Sequence, residues 1–146
     1  MIFYFGYGAN LNVGNMLFRC PNAKPVVKMV LPNYRLVFRG VADIEPAKGE
    51  EVQGAIWTIT DKCEKALDRF EGFPHLYRKE YFTIKMTGQL AEDFGKTADV
   101  MYYTMNSREY DFPTQGYYST IYQGYKDWNL DIDSLDTATQ LYYAYK

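Results

Sequence analysis

Two features of this 146-residue chain place chemically useful groups in a meaningful pattern: a glutamate at position 71 and a glycine-bounded turn near the N-terminus. Cys63, Ala66, Leu67 and Phe70 recur at i, i+3, i+4 and i+7, the apolar stripe of an amphipathic helix. At about 100° per residue, Glu71 falls roughly 80° from the centre of that stripe, at its edge, so partial burial is expected. Glu71 also stands in the last turn beside Gly72, where the helix macrodipole opposes a negative charge. Burial and dipole both raise a carboxyl pKa from ~4 toward neutrality, which suits a group that must take and return a proton near pH 7. The alternative is an ordinary carboxylate at a solvated helix end.

The turn Phe5-Gly6-Tyr7-Gly8-Ala9-Asn10-Leu11 follows an aromatic and β-branched run, as a strand entering a tight turn would. Backbone N–H groups left open ahead of a helix can meet an anion such as a carboxylate; the alternative is a plain turn. A dinucleotide fingerprint is not completed, because Leu11 stands where the third glycine belongs and no βαβ series follows.

Other polar residues fit structural roles better. His75, the single histidine, follows Pro74 in a loop with no acid or thiol partner at motif spacing. Ser107 and Ser119 lack the context of a nucleophile elbow, and Asp131-Ile132-Asp133 lacks the glycine and terminal glutamate of a calcium loop. The stripe Tyr117, Ile121, Tyr125 and Trp128 reads as core, with the Tyr117 hydroxyl available to a pocket.

The elements that must position these groups are legible from periodicity. Residues 2–7 read as a strand, 13–19 as a short helix stopped by Pro21, and 26–39 as strand, turn and strand around Pro32-Asn33. Residues 40–51 read as a loop, followed by a strand over 52–59. Asp61 is the expected cap of the helix that stops at Gly72. Alternating strands over 77–86 and 98–105 should pair antiparallel across a hairpin loop. Two amphipathic helices close the chain, the second carrying Leu135, Ala138, Leu141, Tyr142 and Tyr145. Strands with few interspersed helices and a helical C-terminus predict an α+β fold, a small mixed or antiparallel β-barrel with flanking helices.

The length fits one domain over residues 1–146, and 47% apolar with 23% charged residues is ordinary for a globular protein. A net charge of −2 with scattered Lys and Arg offers no footprint for nucleic acid. The N-terminal apolar run is too short for a signal peptide or membrane span. Cys20 and Cys63, without a CxxC or nearby His, indicate neither a zinc site nor a disulfide framework, so a reducing cytoplasm is expected.

Taken together, these residues resemble the γ-glutamylcyclotransferase-like superfamily, which includes AIG2-like proteins. The strand ending in Tyr7-Gly8-Ala9-Asn10-Leu11 is similar to that family's YGSNL or YGTL signature. Leu67-Asp68-Arg69-Phe70-Glu71-Gly72, with Tyr77 after it, resembles the LDxxEG segment that carries the family's catalytic glutamate. Pro113-Thr114-Gln115-Gly116-Tyr117, continuing to Ile121 and Gly124, is similar to PSxxYxxxIxxGA, and the segments 41–46 and 52–57 have the family's cast.

The resemblance implies a small mixed barrel with no metal or organic cofactor, acting on a small-molecule γ-glutamyl compound as a monomer or homodimer. It implies release of 5-oxoproline from a γ-glutamyl amide, with Glu71 as general acid/base. Gly6, Tyr7, Gly8, Ala9, Asn10 and Leu11 would hold substrate through backbone donors, and Tyr77 and Tyr117 would wall the pocket. Two departures stand out: Ala9 replaces the usual Ser, removing one hydroxyl donor, and Thr114 replaces another Ser. The rival reading is a non-enzymatic binding or regulatory protein that keeps the fold and pocket.

Overall fold

The computed structural model describes residues 1–144. Strand β1 (Ile2–Gly6) leads through a 3-10 turn (Ala9–Leu11) into α1 (Val13–Arg19). The long hairpin β2 (Lys24–Phe38) and β3 (Ala42–Ile59) follows, then α2 (Asp61–Glu71), β4 (Tyr77–Lys85), α3 (Gly88–Phe94) and β5 (Thr97–Met105). Helices α4 (Gln115–Asp127) and α5 (Asp133–Ala144) complete the described chain. One mixed sheet runs β2-β3-β1-β5-β4, with β1 and β5 parallel at its centre and the other neighbours antiparallel.

The two-residue alternation of strands sets the layers. Phe5, Ile56 and Tyr102 point to one face and pack beneath Ile121 and Tyr125 of α4 and Leu135 of α5. Their neighbours Tyr4, Trp57, Met101 and Tyr103 point to the other, against Met16 of α1 and Cys63 and Leu67 of α2. Two glycines permit the closest approaches. A Cβ at Gly54 would sit 2.4 Å from the Phe5 ring, and one at Gly124 would lie 2.6 Å from the Asn12 backbone nitrogen, so α4 rests directly on the N-terminal turn.

Several local expectations need correction. Residues 42–51 are not a loop: β3 starts at Ala42, because residues 42–46 pair with residues 34–38 of β2. Pro46 and Gly49 sit instead at the register shift beside Asn33, whose side chain accepts the Gly49 N–H at 3.2 Å. The cap of α2 is Thr60, whose hydroxyl accepts the Cys63 N–H, rather than Asp61. The segment joining β4 and β5 contains α3. Tyr145 lies outside the described residues.

The cysteines also depart from expectation: Cys20 and Cys63 are joined in a disulfide, with Cα atoms 5.2 Å apart. They are 43 residues apart in sequence, and only the packing of the α1 terminus against α2 brings them together. A disulfide-bonded pair gives no indication of a reducing compartment. No helix among the described residues is long and apolar enough to cross a membrane.

Candidate active site

Helix α2 delivers Glu71 to the sheet. The helix ends because Gly72 adopts φ 68°, and the Gly72 and Phe73 N–H groups bond back to the Arg69 and Asp68 carbonyls in a Schellman motif. Its last turns are pinned from below: Asp68 accepts the Tyr103 hydroxyl at 2.6 Å, and Lys79 bridges Glu64 at 2.7 Å and Asp68 at 2.9 Å. Glu71 then faces a cavity of about 390 Å³ beyond the C-terminal ends of β1 and β5. Tyr7, Gly8, Ala9, Asn10, Tyr77 and Tyr117 line it with Glu71, while Gly6 pairs within the sheet and Leu11 is wholly buried in the core. A larger recess of about 760 Å³ at the opposite end of β1, beside Lys24, Asp61 and Asp93, contains no buried ionisable group.

The Glu71 carboxyl makes no hydrogen bond or ion pair among the described residues. Burial pushes its pKa up to about 7; the Arg19 guanidinium opposes that rise and the Asp43 carboxylate adds to it. Arg19 lies at the end of α1, its guanidinium 3.5 Å above the Phe70 ring.

The tyrosines divide by where their protons go. Tyr7 donates to the Tyr103 carbonyl at 2.5 Å and Tyr77 to the Ala42 carbonyl at 3.3 Å, so both are committed to holding the frame. Tyr117 does the reverse. Its oxygen accepts the Ala42 N–H at 3.1 Å and also the Ala9 N–H, which leaves its own proton for another acceptor. Burial keeps that hydroxyl protonated, with a pKa raised to about 12. A Cβ at Gly8 would lie 2.9 Å from the same oxygen, so glycine is what lets Tyr117 reach the turn.

The anion cradle read from the turn is thereby narrowed. Leu11 N–H is spent on the Gly8 carbonyl and Ala9 N–H on Tyr117, leaving Gly8 and Asn10 as the turn's open backbone donors among the described residues. Ala9 thus contributes through its backbone to the placement of Tyr117 even without a side-chain hydroxyl.

Sequence reasoning missed Tyr4, Arg19, Asp43 and Tyr103. Asp43, at the tip of the β2–β3 hairpin, is 1% exposed. It accepts from Arg39 at 2.7 Å, from the Thr104 hydroxyl at 2.8 Å and from the Met105 N–H at 3.0 Å. These bonds tie the hairpin tip to the end of β5 through a side chain rather than through a ladder. An acid four residues after Arg39 was the available signal.

A family model described as gamma-glutamyl cyclotransferase, AIG2-like, matches residues 4–129, a span that includes the turn, Glu71 and Tyr117. The chain belongs to this family. Among solved structures, an uncharacterized human protein is 23% identical and superposes with a TM-score of 0.77, matched over 94% of this chain and 86% of its own. A structure described as gamma-glutamyl cyclotransferase is 22% identical with the same coverage and TM-score. YkqA from Bacillus subtilis is 20% identical, with a TM-score of 0.72, over 97% of this chain and 54% of its own. At such identities the likeness shows the shared cyclotransferase-like fold. No curated protein sequence matches the chain significantly.

Proposed function

We propose that the chain is a γ-glutamylcyclotransferase-type enzyme that releases 5-oxoproline from a small-molecule γ-glutamyl amide, with Glu71 as the proton-transfer group. The observation that carries this reading is a half-buried carboxyl without a hydrogen-bond partner among the described residues, its pKa about 7, sharing one cavity with the N-terminal turn and Tyr117.

In this scheme the Glu71 carboxylate takes a proton from the substrate's neutral α-amine as that nitrogen becomes the nucleophile. The amine nitrogen attacks its own γ-carbonyl carbon, forming the five-membered ring and placing negative charge on the carbonyl oxygen. The Tyr117 hydroxyl and the open N–H groups of Gly8 and Asn10 supply donors for that charge or for the substrate's carboxylate. As the C–N bond to the leaving amine breaks, Glu71 returns the proton to that nitrogen, giving 5-oxoproline and the free amine. Because nucleophile and electrophile share one molecule, folding the substrate into near-attack geometry supplies much of the acceleration. The reaction balances without an oxidant, reductant or organic cofactor.

Incubation with γ-glutamyl-alanine, γ-glutamyl-lysine isopeptide and glutathione, followed by assay of 5-oxoproline, tests the proposal. Glu71→Gln should reduce turnover about 10²–10⁴-fold, since an amide cannot shuttle protons. The acid limb of the wild-type kcat/KM profile should have its midpoint near pH 7. Thermal stabilisation by these compounds with no 5-oxoproline formed would favour the binding-protein reading instead.

A further inference from the structure

Arg19 touches the site from behind the cavity wall. Its Nη1 donates to Oδ1 of Asn10, and its guanidinium plane stacks 3.5 Å above Phe70, the residue before Glu71. Asn10 is only 3% exposed, and its Nδ2 donates to the Tyr4 hydroxyl oxygen at 3.0 Å. A guanidinium has donors and no acceptor, so this contact allows one orientation of the Asn10 carboxamide: oxygen toward Arg19, nitrogen toward Tyr4. Tyr4 then accepts from Asn10 and must send its own proton elsewhere. Its ring lines the same cavity as Glu71. Were the amide reversed, Asn10 Oδ1 would take the Tyr4 proton and the cavity would meet a lone pair.

We propose that Arg19 is a positioning residue: by clamping the Asn10 carboxamide it makes the Tyr4 hydroxyl a hydrogen-bond donor to the oxygen atoms of a bound γ-glutamyl group. This rests on the cavity being the cyclisation site. The charged groups that act on Glu71 are Arg19 from α1 and Asp43 from β3, while Tyr4, Tyr7, Tyr77 and Tyr117 feel the Glu71 charge in turn. Arg19 is the single cation in this set, and it favours the ionised carboxylate.

The test compares Arg19→Met, Arg19→Lys, Asn10→Asp, Tyr4→Phe and the Arg19→Met/Tyr4→Phe double variant in 5-oxoproline release. Loss of one charge-assisted hydrogen bond predicts a fall of about tenfold or more in kcat/KM for Arg19→Met. Lysine, which also has donors only, should recover most of it. Asn10→Asp, whose carboxylate can accept from both neighbours, should reproduce the loss with Arg19 in place. In the pH-independent kcat/KM, where Glu71 is ionised in every variant, the double variant should be no worse than Tyr4→Phe alone, because the remaining Arg19 effect passes through Tyr4. Additive losses, or a lysine variant as poor as the methionine one, overturn the proposal.

A second measurement does not depend on turnover. Carbon-13 NMR titration of the Glu71 carboxyl should show its midpoint at higher pH in Arg19→Met than in wild type, with Arg19→Lys close to wild type. An unchanged midpoint counts against Arg19 even where 5-oxoproline forms. Absence of 5-oxoproline from the wild-type enzyme counts against the cyclotransferase reading even where the midpoint moves.

Discussion

The hairpin tip and the end of α2 each place a carboxylate beside the same cavity, Asp43 buried and Glu71 half-buried, and their surroundings are opposite. Asp43 is satisfied by the Arg39 guanidinium, the Thr104 hydroxyl and the Met105 N–H, and lies 3.5 Å from the Tyr7 hydroxyl. Glu71 has no hydrogen-bond partner among the described residues, and its pKa rises to about 7. A buried charge with full hydrogen bonding is a structural fastener, whereas one without it is poised to exchange a proton. Two acids of equal formal charge thus divide into a fastener of the framework and the group proposed for proton transfer by what surrounds them.

The contrast can be broken most forcefully at Asp43. Asp43→Ala strands the Arg39 guanidinium, whose side chain is 6% exposed, with Glu45 as its remaining acidic partner. A loss of about 3–5 kcal/mol is expected in chemical denaturation, the cost of removing one member of a buried pair.

Glu71 should behave in the opposite sense. Its pKa in the folded protein is about 7 against an ordinary 4.5, so the unfolded chain ionises first as pH rises. Stability is therefore lost between those two values and stays reduced above them. The rise from 4.5 to about 7 corresponds to at most about 3.4 kcal/mol, and solvent screening of this half-buried group lowers the expectation to about 1–2 kcal/mol. Glu71→Gln should accordingly raise the unfolding midpoint at pH 8 and leave it unchanged near pH 4, while activity falls. A destabilised Glu71→Gln protein at pH 8 would contradict the unpaired environment.

The smallest effect sharpens the framework side. Thr104→Val removes one donor from Asp43 while keeping shape, and should cost about 1 kcal/mol in stability with little change in the pH profile.

Much of the frame was legible before folding was considered. The alternation of residues 98–105, the helical spacing of Cys63, Ala66 and Leu67, and the stop at Gly72 are local signals that β5 and α2 follow, whereas Phe70, read into the same apolar stripe, is 47% exposed. The hairpin tip was not legible, because Pro46 and Gly49 imitate a loop and only pairing with β2 converts residues 42–46 into strand. Within the site, Glu71, the turn and Tyr117 were readable from helix phase and glycine placement. Arg19 and Asp43 were not, since each matters through partners elsewhere in the chain.

By itself the sequence determined which residues could act: a glutamate on the edge of an apolar helix face, and a glycine turn free enough for a helix to rest on. Tertiary structure decided what each group does. Tyr7 and Tyr117 have the same hydroxyl, yet one donates to a carbonyl 96 residues away and the other accepts the Ala42 N–H 75 residues away. The direction of a buried hydrogen bond depends on which donor or acceptor the fold brings opposite. Neither residue type nor local spacing encodes that choice, and it leaves Tyr117 with a proton for the cavity and Tyr7 with none.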